Sequence, residues 1–172
     1  MEKIVVLKGG ISPEREVSLV SGAEIASALK NMGYSVIEID PANYSRVSDL
    51  LSAIQYEQPL LVFNGLHGGS GENGELQAAL SLAGIKVTGS GFKASCISMD
   101  KYISKLIASA EGIPVPKYIL MREDLLEDYQ ETEDYSGFSS QLGLPIIVKP
   151  NDAGSSVGIS RVECLEDLKP AV

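Results

Sequence analysis

Four short polar segments hold the residue types that could do chemistry. The first is 148–158, VKPNDAGSSVG, where Lys149 ends an apolar run and small residues follow. Small residues let backbone N–H groups close on an anion, the hydroxyls of Ser155 and Ser156 add donors, and Lys149 adds positive charge. The same pattern also fits a tight hairpin with a solvated lysine. The second segment is Gly9-Gly10-Ile11-Ser12-Pro13-Glu14. Glu14 would hold an ammonium group there, or would simply favour the positive end of a helix opened by Ser12-Pro13; on pattern alone the second reading is simpler. The third is the glycine-rich loop 66–74 with His67, the sole histidine, which is either a ligand-side group or a packed capping residue. In the fourth, Lys101 and Lys105 are spaced to share one face of a helix. That face meets an anion or solvent, and the pattern by itself favours solvent.

Other motifs fail on context. Gly154-x-Ser156-x-Gly158 matches the nucleophile elbow of a hydrolase. The elbow needs a strand running into a helix and a histidine after the serine, whereas Ile159–Val162 reads as strand and His67 comes earlier. Gly89-Ser-Gly91-Phe-Lys-Ala94 matches a dinucleotide fingerprint but follows the fourth expected strand, not the first. Nothing matches the P-loop. No second His or Cys stands at metal spacing from His67, so no metal site is expected among these residues.

The elements that must position these groups follow from apolar periodicity. Lys3–Leu7, Ser35–Ile39, Leu60–Phe63 and Ile85–Thr88 read as strands. Between them Val17, Val20, Ala23, Ile25, Ala28, Leu29 and Met32 recur at helical spacing, and Arg46–Gln55 and Leu76–Ala83 follow as helices. Strands separated by helices predict an α/β fold with a parallel sheet covered on both faces. After Gly91 the rhythm changes: a long helix over Phe92–Glu111, a short strand Tyr118–Met121, an acidic exposed stretch Arg122–Asp134, a helical turn Phe138–Leu142, and a hairpin of Leu144–Lys149 with Ile159–Val162. A domain boundary is expected near Gly91. Glu163–Leu168 starts a helix, and the second unit looks unfinished where the sequence ends.

Composition narrows the partners. The 172 residues carry 14 Lys and Arg against 23 Asp and Glu, a net charge of −9. That balance repels nucleic acid and anionic lipid, while leaving room for a small anion at a local cluster of lysines and N–H groups. No stretch approaches the roughly 18 consecutive apolar residues of a membrane span. Cys96 and Cys164 are isolated, and a cytoplasmic protein with reduced thiols is the expectation.

Together, GGISPEREVSLVSG (9–22), HGGSGENGELQ (67–77), TGSGFKASCISMDKYISK (88–105) and PIIVKPNDAGSSVGIS (145–160) resemble the D-alanine–D-alanine ligase family of the ATP-grasp superfamily in order, spacing and context. The resemblance implies a Rossmann-like parallel-sheet domain over 1–91, of the kind that precedes an ATP-grasp domain. A partial α+β ATP-grasp subdomain would follow over 92–172. It implies ATP-dependent joining of two D-alanines through an acyl phosphate, for peptidoglycan and the cell wall. By the same resemblance, Glu14 holds the ammonium of the first D-alanine and His67 supports that site. Lys101 and Lys149 neutralise ATP phosphates, the loop Gly154–Gly158 with Ser155 and Ser156 closes over them, and Ser155 also serves the second D-alanine. Catalytic roles therefore fall to Glu14 and Ser155. Mg²⁺ is implied too, with its ligands in a third domain that this sequence lacks, and a homodimer through the N-terminal domain is expected. Asn73 departs from the family, which usually has an acid there. The expectation for the chain alone is a nearly inactive fragment. Two alternatives stand beside it: a D-amino-acid or partner-binding module without catalysis, or another ATP-grasp carboxylate–amine ligase.

Overall fold

The computed structural model describes residues 2–122 and 136–171, which form two compact units. Residues up to Asp100, joined by Asp152–Ser155, make the first unit; Lys101–Asn151 and the residues from Ser156 onward make the second. The acidic stretch expected over Arg122–Asp134 lies, beyond Arg122, outside the described residues.

Unit one is built on β1 (Lys3–Leu7), flanked in parallel by β2 (Ser35–Ile39) and β3 (Leu61–Asn64). Val5 pairs with Ile37 on one side and Val62 on the other. The chain crosses between these strands through α1 (Arg15–Asn31) and α2 (Val47–Tyr56), and α3 (Glu75–Leu82) and α4 (Phe92–Met99) follow. Because strand side chains alternate, β1 feeds two layers at once. Val5 and Leu7 pack with Ile39, Leu50, Ile54, Val62, Leu76 and Leu80 on the side of α2 and α3, while Ile4 and Val6 pack with Ala26 on the side of α1. A central strand buried on both faces reads as a continuous apolar run, which is what KIVVL is.

Helix α1 does not bury the stripe its apolar spacing predicts. Val17, Val20 and Met32 are 50%, 67% and 71% exposed, whereas the buried positions are Ser18, Gly22 and Ala26. The reason is close approach to the sheet. A Cβ on Gly22 would lie 2.3 Å from the Cβ of Lys8, so only a face of small residues fits there.

Three further expectations are corrected. Ile85–Thr88 is not a fourth strand but a single parallel bridge, Val62 to Val87. The long helix over Phe92–Glu111 is two, α4 and α5 (Lys101–Ala110), broken at Asp100, whose ψ of 105° is extended. Tyr118–Met121 is irregular backbone, although Ile119 and Met121 still pack on the second core.

Unit two also contains α6 (Ser136–Leu142), β4 (Ile146–Val148), β5 (Ser160–Val162) and the short α7 (Leu168–Ala171). Strands β4 and β5 pair antiparallel, Ile146 with Val162 and Val148 with Ser160, so the expected hairpin forms. Among the described residues its core is Phe138, Ile146, Val162 and Leu168. Among the described residues no helix is long and apolar enough to cross a membrane.

Candidate active site

Parallel strands bring their carboxyl ends to one edge, where open α/β sheets bind ligands. In unit one the loops after β1, β2 and β3 meet there and are tied mainly through backbone atoms. The buried Ser18 hydroxyl accepts from the Gly9 N–H at 2.8 Å and donates to the Gly65 carbonyl at 2.7 Å, joining the β1 and β3 loops. Asp40, after β2, accepts from the Gly10 N–H at 2.9 Å and from Arg15 Nη2 at 2.7 Å, while Arg15 Nη1 donates to the Gly10 carbonyl at 2.6 Å. Partial burial opposes the Asp40 charge, but hydrogen bonds from Arg15, Gly10 and Ala42 outweigh it and hold the carboxyl below its usual range.

This frame carries Glu14 and His67. Ser12 Oγ donates to the His67 carbonyl at 2.6 Å and accepts from the Glu14 N–H at 3.1 Å. Glu14 occupies the N-cap of α1, yet its carboxylate makes no capping hydrogen bond. Instead the carboxylate is buried, 6% exposed as a residue, and accepts from the Ser155 hydroxyl. Gly68, at φ +67°, fits because a Cβ there would sit 2.6 Å from Glu14 Oε1; Gly154 passes almost as closely, at 3.1 Å. His67 Nε2 is 2.9 Å from Ser21 Oγ, and His67 Nδ1 is 3.9 Å from Glu72 Oε1.

Glu72 is the residue that sequence reasoning missed. Its carboxylate accepts from the Gly68 N–H at 2.7 Å, and ligating atoms of Glu14, His67 and Glu72 lie within 4.8 Å of one another. No second His or Cys stands at metal spacing from His67 in the sequence; the fold supplies carboxylates instead, one of them from another loop. An acid in a glycine loop that already held a histidine was the available signal.

Unit two holds the cationic groups. A cavity of about 730 Å³ is lined by Lys101, Lys105, Lys117 and Lys149, with Tyr102, Tyr118 and Asn151 among the rest, and its described lining residues include no carboxylate. Helix α5 starts against the hairpin turn. The Lys101 N–H donates to the Asn151 carbonyl at 3.0 Å, Lys101 Nζ reaches the same oxygen at 3.3 Å, and Asn151 Oδ1 accepts from the Tyr102 N–H at 2.9 Å. Lys149 is exposed at the end of β4. In the turn, Ser155 and Ser156 take left-handed conformations, φ 47° and 61°, which serine adopts rarely. Lys105 is pushed below the usual lysine range by burial and by the charge of Lys149.

The structure thus groups Glu14, His67, Gly154 and Ser155 in unit one, and Lys101 and Lys149 with Ser156 in unit two. A D-ala D-ala ligase C-terminus family model matches residues 107–172. The D-alanine--D-alanine ligase of Actinobacillus pleuropneumoniae serotype 5b is 44% identical over 171 residues, covering 99% of this chain and 53% of that protein. Among solved structures, the D-alanine--D-alanine ligase of Bacillus anthracis aligns with a TM-score of 0.77 at 34% identity, over 98% of this chain and 51% of that one. A D-alanine--D-alanine ligase from Bacillus anthracis complexed with ATP aligns with a TM-score of 0.72 at 30% identity, covering 98% of this chain and 52% of that one. The chain therefore spans about half the length of the curated relatives it matches, and nearly all of it is similar to D-alanine--D-alanine ligases.

Proposed function

We propose that this chain supplies the first-substrate site and a phosphate-binding site of an ATP-dependent D-alanine–D-alanine ligase. The observation that carries this reading is the state of Glu14. A buried carboxylate needs a compensating partner, and among the described residues Glu14 has the Ser155 hydroxyl but no cation. A ligand ammonium is the partner it lacks, and the ammonium of D-alanine meets that need. His67, fixed by Ser21 and Glu72, flanks the same ligand in this reading.

In the reaction proposed, the γ-phosphoryl group of ATP passes to the carboxylate of one D-alanine, releasing ADP. The neutral amine of a second D-alanine attacks the acyl phosphate; the new amide forms as phosphate leaves and the amine gives up a proton. Bringing a carboxylate to a polyphosphate sets anion against anion, so cations and N–H donors must offset the repulsion. Lys101, Lys149 and the turn with Gly154, Ser155 and Ser156 take that role here, and the turn shields the acyl phosphate from water. Ser155 is too weak a base to take the amine proton alone; its hydroxyl orients the second D-alanine or relays the proton toward Glu14.

Mg²⁺ belongs to the same proposal, but the described residues do not fit it. The group of three ligating side chains found among them, Glu14, His67 and Glu72, includes an imidazole, whereas Mg²⁺ takes oxygen ligands. Cytoplasmic location and a homodimer through unit one are further parts of the reading.

The test is binding of D-alanine to the 172-residue chain, with propionate as the analogue that lacks the ammonium. D-alanine should bind more tightly than propionate, and Glu14→Gln should weaken D-alanine about tenfold or more while leaving propionate unchanged. Equal affinity of the parent and Glu14→Gln for D-alanine would overturn the assignment.

A further inference from the structure

On sequence pattern alone Lys105 is a solvated lysine beside Lys101. The structure gives it a different setting. Its ammonium stands 4.5 Å from the centroid of the Tyr118 ring, and that ring is braced edge-on by Tyr102, with centroids 5.8 Å apart at 74°. A lysine over an aromatic face gains attraction for its charge but no oxygen acceptor for its N–H donors. The other two cavity lysines on this side differ: Lys101 Nζ reaches the Asn151 carbonyl at 3.3 Å, and Lys117 Nζ reaches the Gln141 carbonyl at 3.4 Å. No described carboxylate lines the cavity, although the whole chain carries a net charge of −9. Lys105 is half-buried and feels the like charge of Lys149 across the cavity. Held in that way, positive charge gathers at a cost that a polyanion would remove.

We propose that Lys105 is a third polyphosphate-contacting cation of this cavity, beside Lys101 and Lys149, with Tyr118 as its positioning residue. The proposal rests on the reading of unit two as a phosphate-binding site and adds to it a residue and the ring that aims it. Tyr118 holds the ammonium over its ring face, 4.5 Å from the centroid, at the wall of the cavity that Lys101 and Lys149 also line. A polyphosphate between them supplies the oxygens that the ring face cannot.

The probe is inorganic tripolyphosphate, titrated calorimetrically into the full chain at low ionic strength. Lys105→Met keeps the stem and loses the charge; it should weaken binding about tenfold, the worth of one charged hydrogen bond or more. Lys105→Arg should restore affinity to within about threefold, and Tyr118→Leu should fall between the two. The salt dependence should become shallower in Lys105→Met, a change that a merely structural role would not produce. Lys86→Met, on the exposed surface of unit one, is the control for net charge. If the parent binds tripolyphosphate and Lys105→Met binds it equally, the proposal fails and the phosphate reading stands. Equal weakening by Lys105→Met and Lys86→Met overturns it as well, by showing a general charge effect. If the parent chain does not bind tripolyphosphate at all, both the proposal and the phosphate reading fall. Should Lys105→Met not fold, Lys105→Gln reads the same contrast.

Discussion

The two units hold their polar groups in place by different physics. In unit one a parallel sheet buried on both faces fixes three loop origins, and short hydrogen bonds to backbone carbonyls and N–H groups lock the loops together. Glu14 and His67 are thereby set before any ligand arrives. Among the described residues unit two has a four-residue buried core, and its lysines are placed by a strand end, a helix start and an aromatic ring. The first arrangement suits a small ligand with one ammonium at one spot. The second suits a polyanion, for which total charge matters more than the angle of any single donor.

The largest contrast is in stability. Leu7 is fully buried against the layer of α2 and α3, so Leu7→Ala should cost about 2–5 kcal/mol, the usual range for a buried leucine. Ile147, on the hairpin of unit two, is 52% exposed, and Ile147→Ala should change stability by roughly 0.5 kcal/mol or less. Urea unfolding of both variants checks this. A comparable loss at Ile147 would mean that the face it lies on is covered.

A smaller effect tests the locking of the loops themselves. Ser18→Ala removes almost no volume, but it strips the Gly9 N–H and the Gly65 carbonyl of their partner in a buried place. Leaving such groups unsatisfied costs about 1–3 kcal/mol. D-alanine affinity should fall together with stability, because Glu14 and His67 stand on the two loops that Ser18 joins. Phosphate binding in unit two should not change. Stability lost without any change in D-alanine affinity would show that the loops keep their positions without Ser18.

Much of this was legible in the sequence. The apolar runs Lys3–Leu7, buried from Ile4 onward, and Ser35–Ile39, mostly half-buried, and the β4–β5 hairpin carry local patterns that fix strand type without tertiary help. What was hidden depended on contacts distant in sequence. The apolar spacing of α1 does not give its packing face, because Gly22 meets Lys8 and no periodicity within a helix encodes how near the sheet will come. Ile85–Thr88 has the composition of a strand but keeps only the bridge to Val62, whose N–H donates to the Lys86 carbonyl and whose carbonyl accepts from the Thr88 N–H. Glu72 entered the site only because its loop folds back on His67.

The weakest effect separates the units most cleanly, because at neutral pH the Asp40 charge stabilises its unit while the Lys105 charge destabilises its own. Asp40 has a folded pKa below its unfolded value, so its contribution is present above the unfolded value near 3.9 and is lost as pH falls through the folded one. Lys105 also has a lowered folded pKa, but it is a cation: below that pKa the charge is held in an unfavourable place. Unfolded chains then bind more protons, and stability rises as pH climbs through the folded value toward the ordinary lysine range. Asp40→Asn should therefore lower the urea midpoint at neutral pH and converge with the parent in acid. Lys105→Met should raise the midpoint slightly at neutral pH and converge with the parent in alkali. Each shift is expected to be a fraction of the core effect, since neither group is fully shielded from water. Convergence of Asp40→Asn in alkali, or a Lys105→Met midpoint below the parent at neutral pH, would reverse the assignment. The lowered Lys105→Met midpoint would mean that unit two holds its lysines by attraction within the chain, with no charge left uncompensated for a ligand.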